Sequence, residues 1–193
     1  MLSSEESLKI LKETNALSEG HFILSSGLHS AQYVQCAQLM SKPNKAIKLC
    51  NSLSERITNE FKNFDLILSP AIGGIVIGYE IGRLLKKETI FSERVDGKLK
   101  LRRDFSIERD QKILIVEDVI TTGKSSLECA KIVTDSGGNI AGYACIIDRT
   151  NGKSNIKDKI VSEVKLNIPT YTKDNLPKSL LGLKAIKPGS RNL

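Results

Sequence analysis

The chain reads as an α/β protein: a doubly wound parallel sheet with helices on both faces. Three observations lead there. From residue 65 onward, short apolar runs alternate with segments of helical period, the pattern of strand–helix–strand units. One apolar strand, Ile113 to Val116, runs straight into two carboxylates, Glu117 and Asp118, and then into the turn Thr121-Thr122-Gly123-Lys124-Ser125. At 193 residues and 40% apolar content the chain can bury one sizeable core, so a single domain over 1–193 is expected.

Each element has its own signal. Glu5 to Leu17 carries Leu8, Leu11 and Ala16 with charges between, as an amphipathic helix does. His21 to Leu39 is rich in Ser, Gly and β-formers and reads as short strands around a turn. Pro43 opens a second helix, striped by Ala46, Ile47, Cys50, Leu53 and Ile57 and ending near Asn63. Asp65 to Pro70 is a buried strand, Gly73 to Lys87 a helix, and Glu88 to Arg94 a strand followed by a charged loop. Lys112 to Ile120 is the strand that ends in the acids. Thr122 to Ser136 is a helix stopped by Gly137-Gly138, and Asn139 to Asp148 is the next strand. From Val164 onward the tail is strand-poor and ends in basic residues.

Composition narrows the partners. The net charge of +7, from 29 basic and 22 acidic residues, suits nucleic acid, an acidic membrane surface or phosphorylated small molecules. With 5% aromatic residues and no Trp there is no stacking platform for single strands, and no nucleic-acid partner is expected. No apolar run reaches the roughly eighteen residues of a membrane span. Met1 to Gly20 is polar and periodic rather than signal-like, so neither a membrane partner nor secretion is expected. Cys36, Cys50, Cys129 and Cys145 form no Cys-x-x-Cys pair, and only His21 and His29 could join them in a zinc site, so none is expected. Reduced thiols in a cytoplasm are the simplest account.

The chemistry concentrates around the acid pair. The strand's carboxyl end delivers Glu117 and Asp118 to the crevice where open α/β sheets bind ligands. The following turn points backbone N–H groups and a helix N-terminus at an anion. Acceptors beside a phosphate cradle suit a sugar phosphate, whose hydroxyls need acceptors and whose phosphate needs donors. A P-loop reading fails, because that motif needs a Gly five positions before Gly123 and Asp118 stands there. The plain structural alternative is a buried strand, an acidic turn and a helix capped by Thr121 or Thr122. A second strand-to-helix turn, Ser69-Pro70-Ala71-Ile72-Gly73-Gly74, also lets backbone approach an anion at a helix start. Gly78 and Gly82 would let that helix pack closely on the sheet.

These stretches resemble known signatures. Ile113 to Ser125 resembles the phosphoribosyl diphosphate (PRPP) motif of the type I phosphoribosyltransferases, and Ser69 to Gly74 resembles their pyrophosphate loop. In that family the peptide corresponding to Ala71–Ile72 is often cis. Phe22 to Tyr33 looks like the amino-terminal hood signature of the orotate phosphoribosyltransferases, with Ser26, Gly27, Ser30 and Tyr33 on positions that shape the base pocket. Ser25 stands where many members have Lys. Asp148-Arg149 matches the position whose Arg pairs with the orotate carboxylate, which a planar guanidinium can hold with two hydrogen bonds. Glu93 to Arg103 occupies the place of the mobile catalytic loop, here with the hairpin signal Asp96-Gly97 and without the usual His. Ala185 to Arg191 resembles the tail of a bacterial subgroup.

The resemblance implies a core of about 43–165 and a small hood, mainly from 1–42 plus the C-terminal tail. It implies transfer of ribosyl 5-phosphate from PRPP to orotate, giving orotidine 5'-monophosphate and pyrophosphate, in pyrimidine biosynthesis. Asp118, Arg94 and Lys98 are the expected catalytic residues. Glu117, Asp118, Val119, Ile120, Thr121, Thr122, Gly123, Lys124 and Ser125 would bind PRPP, and Ala71, Ile72, Gly73 and Gly74 its pyrophosphate. Thr121, Arg149, Ser26 and Tyr33 would bind orotate. Magnesium (Mg2+) would be carried by the substrate, with no direct protein ligand, and a homodimer would share its active sites. A purine phosphoribosyltransferase would have the same fold, but the hood signature and Arg149 speak against it. A regulator that senses the diphosphate would need a DNA-binding pattern, and no helix-turn-helix is visible.

Overall fold

In the computed structural model, which describes residues 1–188, the first helix is set by its cap. Ser3 Oγ accepts from the Glu6 N–H at 3.2 Å, and Glu6 returns a carboxylate to the Ser3 N–H at 2.8 Å. This reciprocal box starts α1 (Ser4–Glu13). The helix stops short of the expected Leu17 because Asn15 turns left-handed at φ 60. Strand β1 (Leu17–Ile23) then pairs antiparallel with β2 (His29–Val34). A short helix α2 (Ala37–Met40) leads into α3 (Pro43–Glu60), with Pro43 in its first turn.

The remaining strands are β3 (Leu66–Pro70), β4 (Glu88–Val95), β5 (Lys98–Leu101), β6 (Lys112–Ile120), β7 (Asn139–Asp148) and β8 (Ile160–Lys165). They form one sheet in the order β5-β4-β3-β6-β7-β8. Helix α4 (Gly73–Leu85) joins β3 to β4, and α5 (Lys124–Asp135) joins β6 to β7. The chain first moves outward from β3 to β4, then returns to the other side of β3 with β6. The strand order therefore reverses between β3 and β6, and ligands of such sheets sit outside the carboxyl ends at that switch point.

Strand alternation divides the core in two. Ile67, Leu114, Val116, Ala144 and Ile146 pack with Leu49, Leu53 and Ile57 of α3 and Ile77 and Ile81 of α4. Leu66, Leu68, Ile113, Ile115, Tyr143 and Cys145 pack with Cys129, Ala130 and Val133 of α5 on the opposite face. Burying each Leu or Ile of such a core contributes roughly 1.5–3 kcal/mol. Gly78 and Gly82 bring α4 onto the sheet, since a Cβ at either would lie within 2.1 Å of Ser69 Oγ or 2.0 Å of Thr89 Oγ1.

Two expectations need correction. The sheet is not wholly parallel: β5 runs antiparallel to β4, with Ser92 opposite Leu101 and Val95 opposite Lys98. The charged stretch after Arg94 is a hairpin, as the Asp96-Gly97 signal indicated, and the alternation of Lys98-Leu99-Lys100-Leu101 turns Leu99 into the core, 6% exposed. Strand β8 had no apolar run to announce it; its interior holds Glu163, whose buried carboxylate accepts from Ser7, Ser52 and Arg56 at 2.6, 2.9 and 2.9 Å. Those bonds tie α1 and α3 to the sheet edge.

The C-terminal segment lies along the small sheet. Ile23 N–H donates to Ile186 O and Ile186 N–H to His21 O, both at 2.8 Å, while Tyr171 and His29 exchange backbone bonds. Beneath, His21 Nε2 and His29 Nδ1 share a buried hydrogen bond at 2.7 Å. Of the tail motif, Gly189, Ser190 and Arg191 lie outside the described residues.

Candidate active site

Neighbouring residues of a strand face opposite ways, so β6 sends its two acids to different helices. Asp118 goes to the α4 side. A Cβ on Gly73 would stand 2.9 Å from both of its carboxylate oxygens, so the carboxylate lies directly against the Ala71–Gly74 turn. Its Oδ1 accepts from the Val119 N–H at 2.9 Å. From the hood side, the buried Cys36 thiol lies 3.9 Å from the Asp118 carbonyl oxygen. Glu117 goes to the α5 side, where the Ser126 hydroxyl donates to its Oε2.

Both acids are half-buried, and both are pushed toward the protonated form. Burial raises Glu117 to about 7 against the Ser126 hydrogen bond, with a further rise from the Asp118 charge beside it. Burial likewise raises Asp118, opposed by the bonds from the Val119 and Asp118 N–H groups.

Two helices begin at this crevice, and neither has a side-chain cap. α4 starts from Ile72, with the Ala71–Ile72 peptide cis; α5 starts from Gly123. Thr121 and Thr122 do not cap α5 as the plain structural reading supposed; Gly123 holds the cap position at φ 77, a conformation that disfavours side chains. Thr122 Oγ1 makes only a long contact with the Lys124 N–H, at 3.4 Å. The first-turn N–H groups of both helices therefore face the crevice as anion donors, on either side of the acid pair. Thr121, Thr122 and Lys124 are exposed, Ser125 is half-buried, and Val119 and Ile120 continue β6 beneath them.

The end of β7 closes the corner. Arg149 N–H donates to Ile120 O at 2.8 Å, tying this strand end to the end of β6. The Arg149 side chain is half-buried, its Nε has no hydrogen-bond partner, and burial lowers its pKa. Asp148 does not neutralise it; its Oδ1 accepts from the Thr150 N–H at 2.8 Å. The following loop folds back so that Ile156 Cδ1 would meet a Cβ on Gly123 at 2.8 Å. A cleft of about 630 Å³ borders this loop, lined by Asp148, Thr150, Ser154, Ile156 and Lys165 among others.

The other expected residues make no hydrogen bond or ion pair with the acids among the described residues. Arg94 donates to Glu128 at 2.9 Å and to Gly97 O at 2.6 Å, and Lys98 is exposed at the tip of the hairpin. Ser26 is exposed in the β1–β2 turn, while Tyr33 packs on Phe22 with ring centroids 5.6 Å apart. Two residues enter the site that the sequence reading did not single out. Ser126 could have been found from the phase of α5, one turn past Gly123 on the face that meets the sheet. Ile156 has no local signal, since it reaches Gly123 only through the path of its loop.

The crevice at the β3–β6 switch point thus brings together two uncapped helix starts and the paired acids. The chain belongs to the phosphoribosyltransferase family, for residues 38–174 match the phosphoribosyl transferase domain. Its full-length relatives narrow this to the orotate phosphoribosyltransferases. The chain is 42% identical over 193 residues to the orotate phosphoribosyltransferase of Parvibaculum lavamentivorans, covering 100% of both chains. It is 41% identical over 192 residues to that of Desulforamulus reducens, again covering 100% of each. Among solved structures, the orotate phosphoribosyltransferase of Aeropyrum pernix superposes with a TM-score of 0.71 at 22% identity, over 82% of this chain and 92% of that one. The adenine phosphoribosyltransferase of Thermoanaerobacter pseudethanolicus gives 0.61 at 18% identity, over 70% and 88%. These two likenesses speak for the fold alone.

Proposed function

We propose that this chain transfers ribosyl 5-phosphate from PRPP to orotate, giving orotidine 5'-monophosphate and pyrophosphate, as its full-length relatives' name implies. The observation that carries the base choice is Arg149: a half-buried guanidinium at the crevice whose Nε has no partner. A buried cationic fork without a carboxylate is costly, and a ligand carboxylate would complete it.

Each part of the crevice has a task in this reading. The turn from Thr121 to Ser125 and the α5 start hold the 5-phosphate. Ala71 to Gly74 and the α4 start hold the pyrophosphate. Glu117 and Asp118 accept from the ribose hydroxyls, and Asp118 also faces the positive charge that develops on the ring as pyrophosphate leaves. Thr121, Ser26 and Tyr33 flank the base. Arg94 and Lys98 add cations to the leaving group, which requires Arg94 to leave Glu128.

Magnesium fits this donor set through the substrate. A hard cation of this kind is usually bound through substrate phosphates and water, so phosphate oxygens and water would carry it. The protein groups that hold it are then those that hold the diphosphate, chiefly the Ala71–Gly74 turn. When bound, it neutralises diphosphate charge.

Among the described residues, no helix is long and apolar enough to cross a membrane. A homodimer is supported by the exposed side chains Ile72, Val76 and Tyr79 along one side of α4.

The test is an acceptor panel of orotate, uracil, hypoxanthine and adenine with PRPP, for wild type and Arg149→Ala. Orotate alone should be consumed. Arg149→Ala should weaken apparent orotate affinity by roughly 2–5 kcal/mol, as truncation of a buried charge pair does, with PRPP affinity nearly unchanged. Equal weakening of both substrates would remove the support for orotate.

A further inference from the structure

Ser126 is fully buried at 0% exposure, yet its hydroxyl is spent on one bond, to Glu117 Oε2. It lies in the first turn of α5, whose next inward residue, Cys129, contacts the Ser92 hydroxyl. We propose that Ser126 is a positioning residue: its hydroxyl aims the Glu117 carboxylate at the ribose hydroxyls of the substrate. This rests on the function proposed above, because it needs the ribose to be read by Glu117.

The reason is the poverty of other support for a charge there. The titratable groups that bear on Glu117 are Asp118 on its own strand, Cys129 on α5 and Cys145 on β7. Asp118 repels a second negative charge. The two thiols are driven further toward their neutral form by burial, Cys129 to about 12. Farther along α5, Glu128 is paired with Arg94, so that cation is engaged elsewhere. Only the Ser126 hydroxyl opposes the burial that lifts Glu117 to about 7. A carboxyl that stays protonated at neutral pH could donate but could not accept from two ribose hydroxyls with both oxygens. Ser126 thus sets how much of the enzyme is ready for PRPP near neutrality.

The experiment has two independent readouts on wild type, Ser126→Ala and Ser126→Thr. The first is the carboxyl titration of Glu117 by carbon NMR on the protein without substrates, which needs no assumption about activity. Ser126→Ala should move it upward by roughly one pH unit, and Ser126→Thr should return it toward wild type. The second is the pH profile of kcat/KM for PRPP with orotate as acceptor. Its acid limb should move by the same amount, so that the Ala variant loses roughly tenfold at pH 6 and much less at pH 9. An unmoved titration overturns the link between the two residues. A moved titration with an unmoved acid limb, or a loss equal at all pH values, overturns its role in the reaction. If wild type fails to use orotate, the function proposed above falls, while the titration still decides whether Ser126 governs Glu117.

Discussion

Glu117 and Asp118 are adjacent in sequence but occupy different environments, one under α5 and one against the Ala71–Gly74 turn. Their burial has a consequence for stability before any substrate binds. Glu117 titrates near 7 in the fold and near 4.5 when unfolded, so between those values the folded chain keeps a proton that the unfolded chain has released. Stability is therefore full below about 4.5 and is lost as pH rises through 7, by on the order of 3 kcal/mol for this group. Asp118, also raised by burial, acts in the same direction. Urea unfolding of the substrate-free protein should show wild type losing stability between pH 5 and pH 8. Glu117→Gln, neutral at both, should lose less by about that amount. Equal losses in the two proteins would mean that Glu117 ionises freely in the fold. The acid pair was legible in the sequence because two carboxylates at the end of an apolar strand have few structural uses. Ser126 was not, because a buried serine on a helix looks like any small core residue until its partner is known.

At the level of elements, β6 and β7 begin and end where the sequence placed them, since apolar runs there are bounded by polar or charged residues. β8 was hidden because its partners lie far along the chain, Arg56 and two serines donating to its buried Glu163, whereas the β4–β5 hairpin was signalled by Asp96-Gly97 and only the packing of Leu99 against α5 was not. The packing of α4 on β3 offers a sharper test. Ser69 is fully buried and its hydroxyl has no partner, while Gly78 lies so close that a Cβ there would stand 2.1 Å from that oxygen. Ser69→Ala should be neutral or stabilising, because it removes an unsatisfied polar atom. Gly78→Ala should destabilise by about 1–3 kcal/mol through overpacking. The double substitution should cost less than the sum by at least ~0.5 kcal/mol, since removing the hydroxyl makes room for the methyl. Strict additivity in chemical denaturation would show that α4 moves away from the sheet as a body.

For the whole molecule, the outward stripe of α4 is the feature a lone subunit does not explain. Ile72, Val76 and Tyr79 are 86%, 53% and 66% exposed, at the spacing of one helix face. Beside them Met40, Pro43, Ile47 and Arg83 help to line a hollow of about 500 Å³. An apolar patch with a hollow next to it suits a two-fold contact in which each copy offers both features. Ile72 also caps α4 at the Ala71–Gly74 turn, against which Asp118 lies, so such a contact would bear directly on the crevice. Lys98 sits on the edge strand, three strands from β6, or roughly 14 Å by ordinary strand spacing, which favours its use on a partner's site. Sedimentation should therefore show wild type as a dimer and Val76→Asp/Tyr79→Asp as a folded monomer with little activity. Two inactive proteins, Lys98→Ala and Asp118→Asn, should regain activity when mixed, because a hybrid dimer has one site with both residues intact. Random pairing of equal amounts makes about half the dimers hybrids, and so restores roughly a quarter of wild-type sites. If exchange of subunits is verified and no activity returns, Lys98 serves its own subunit or has no part in the reaction. If the double Asp variant remains a dimer, the α4 face is not the interface.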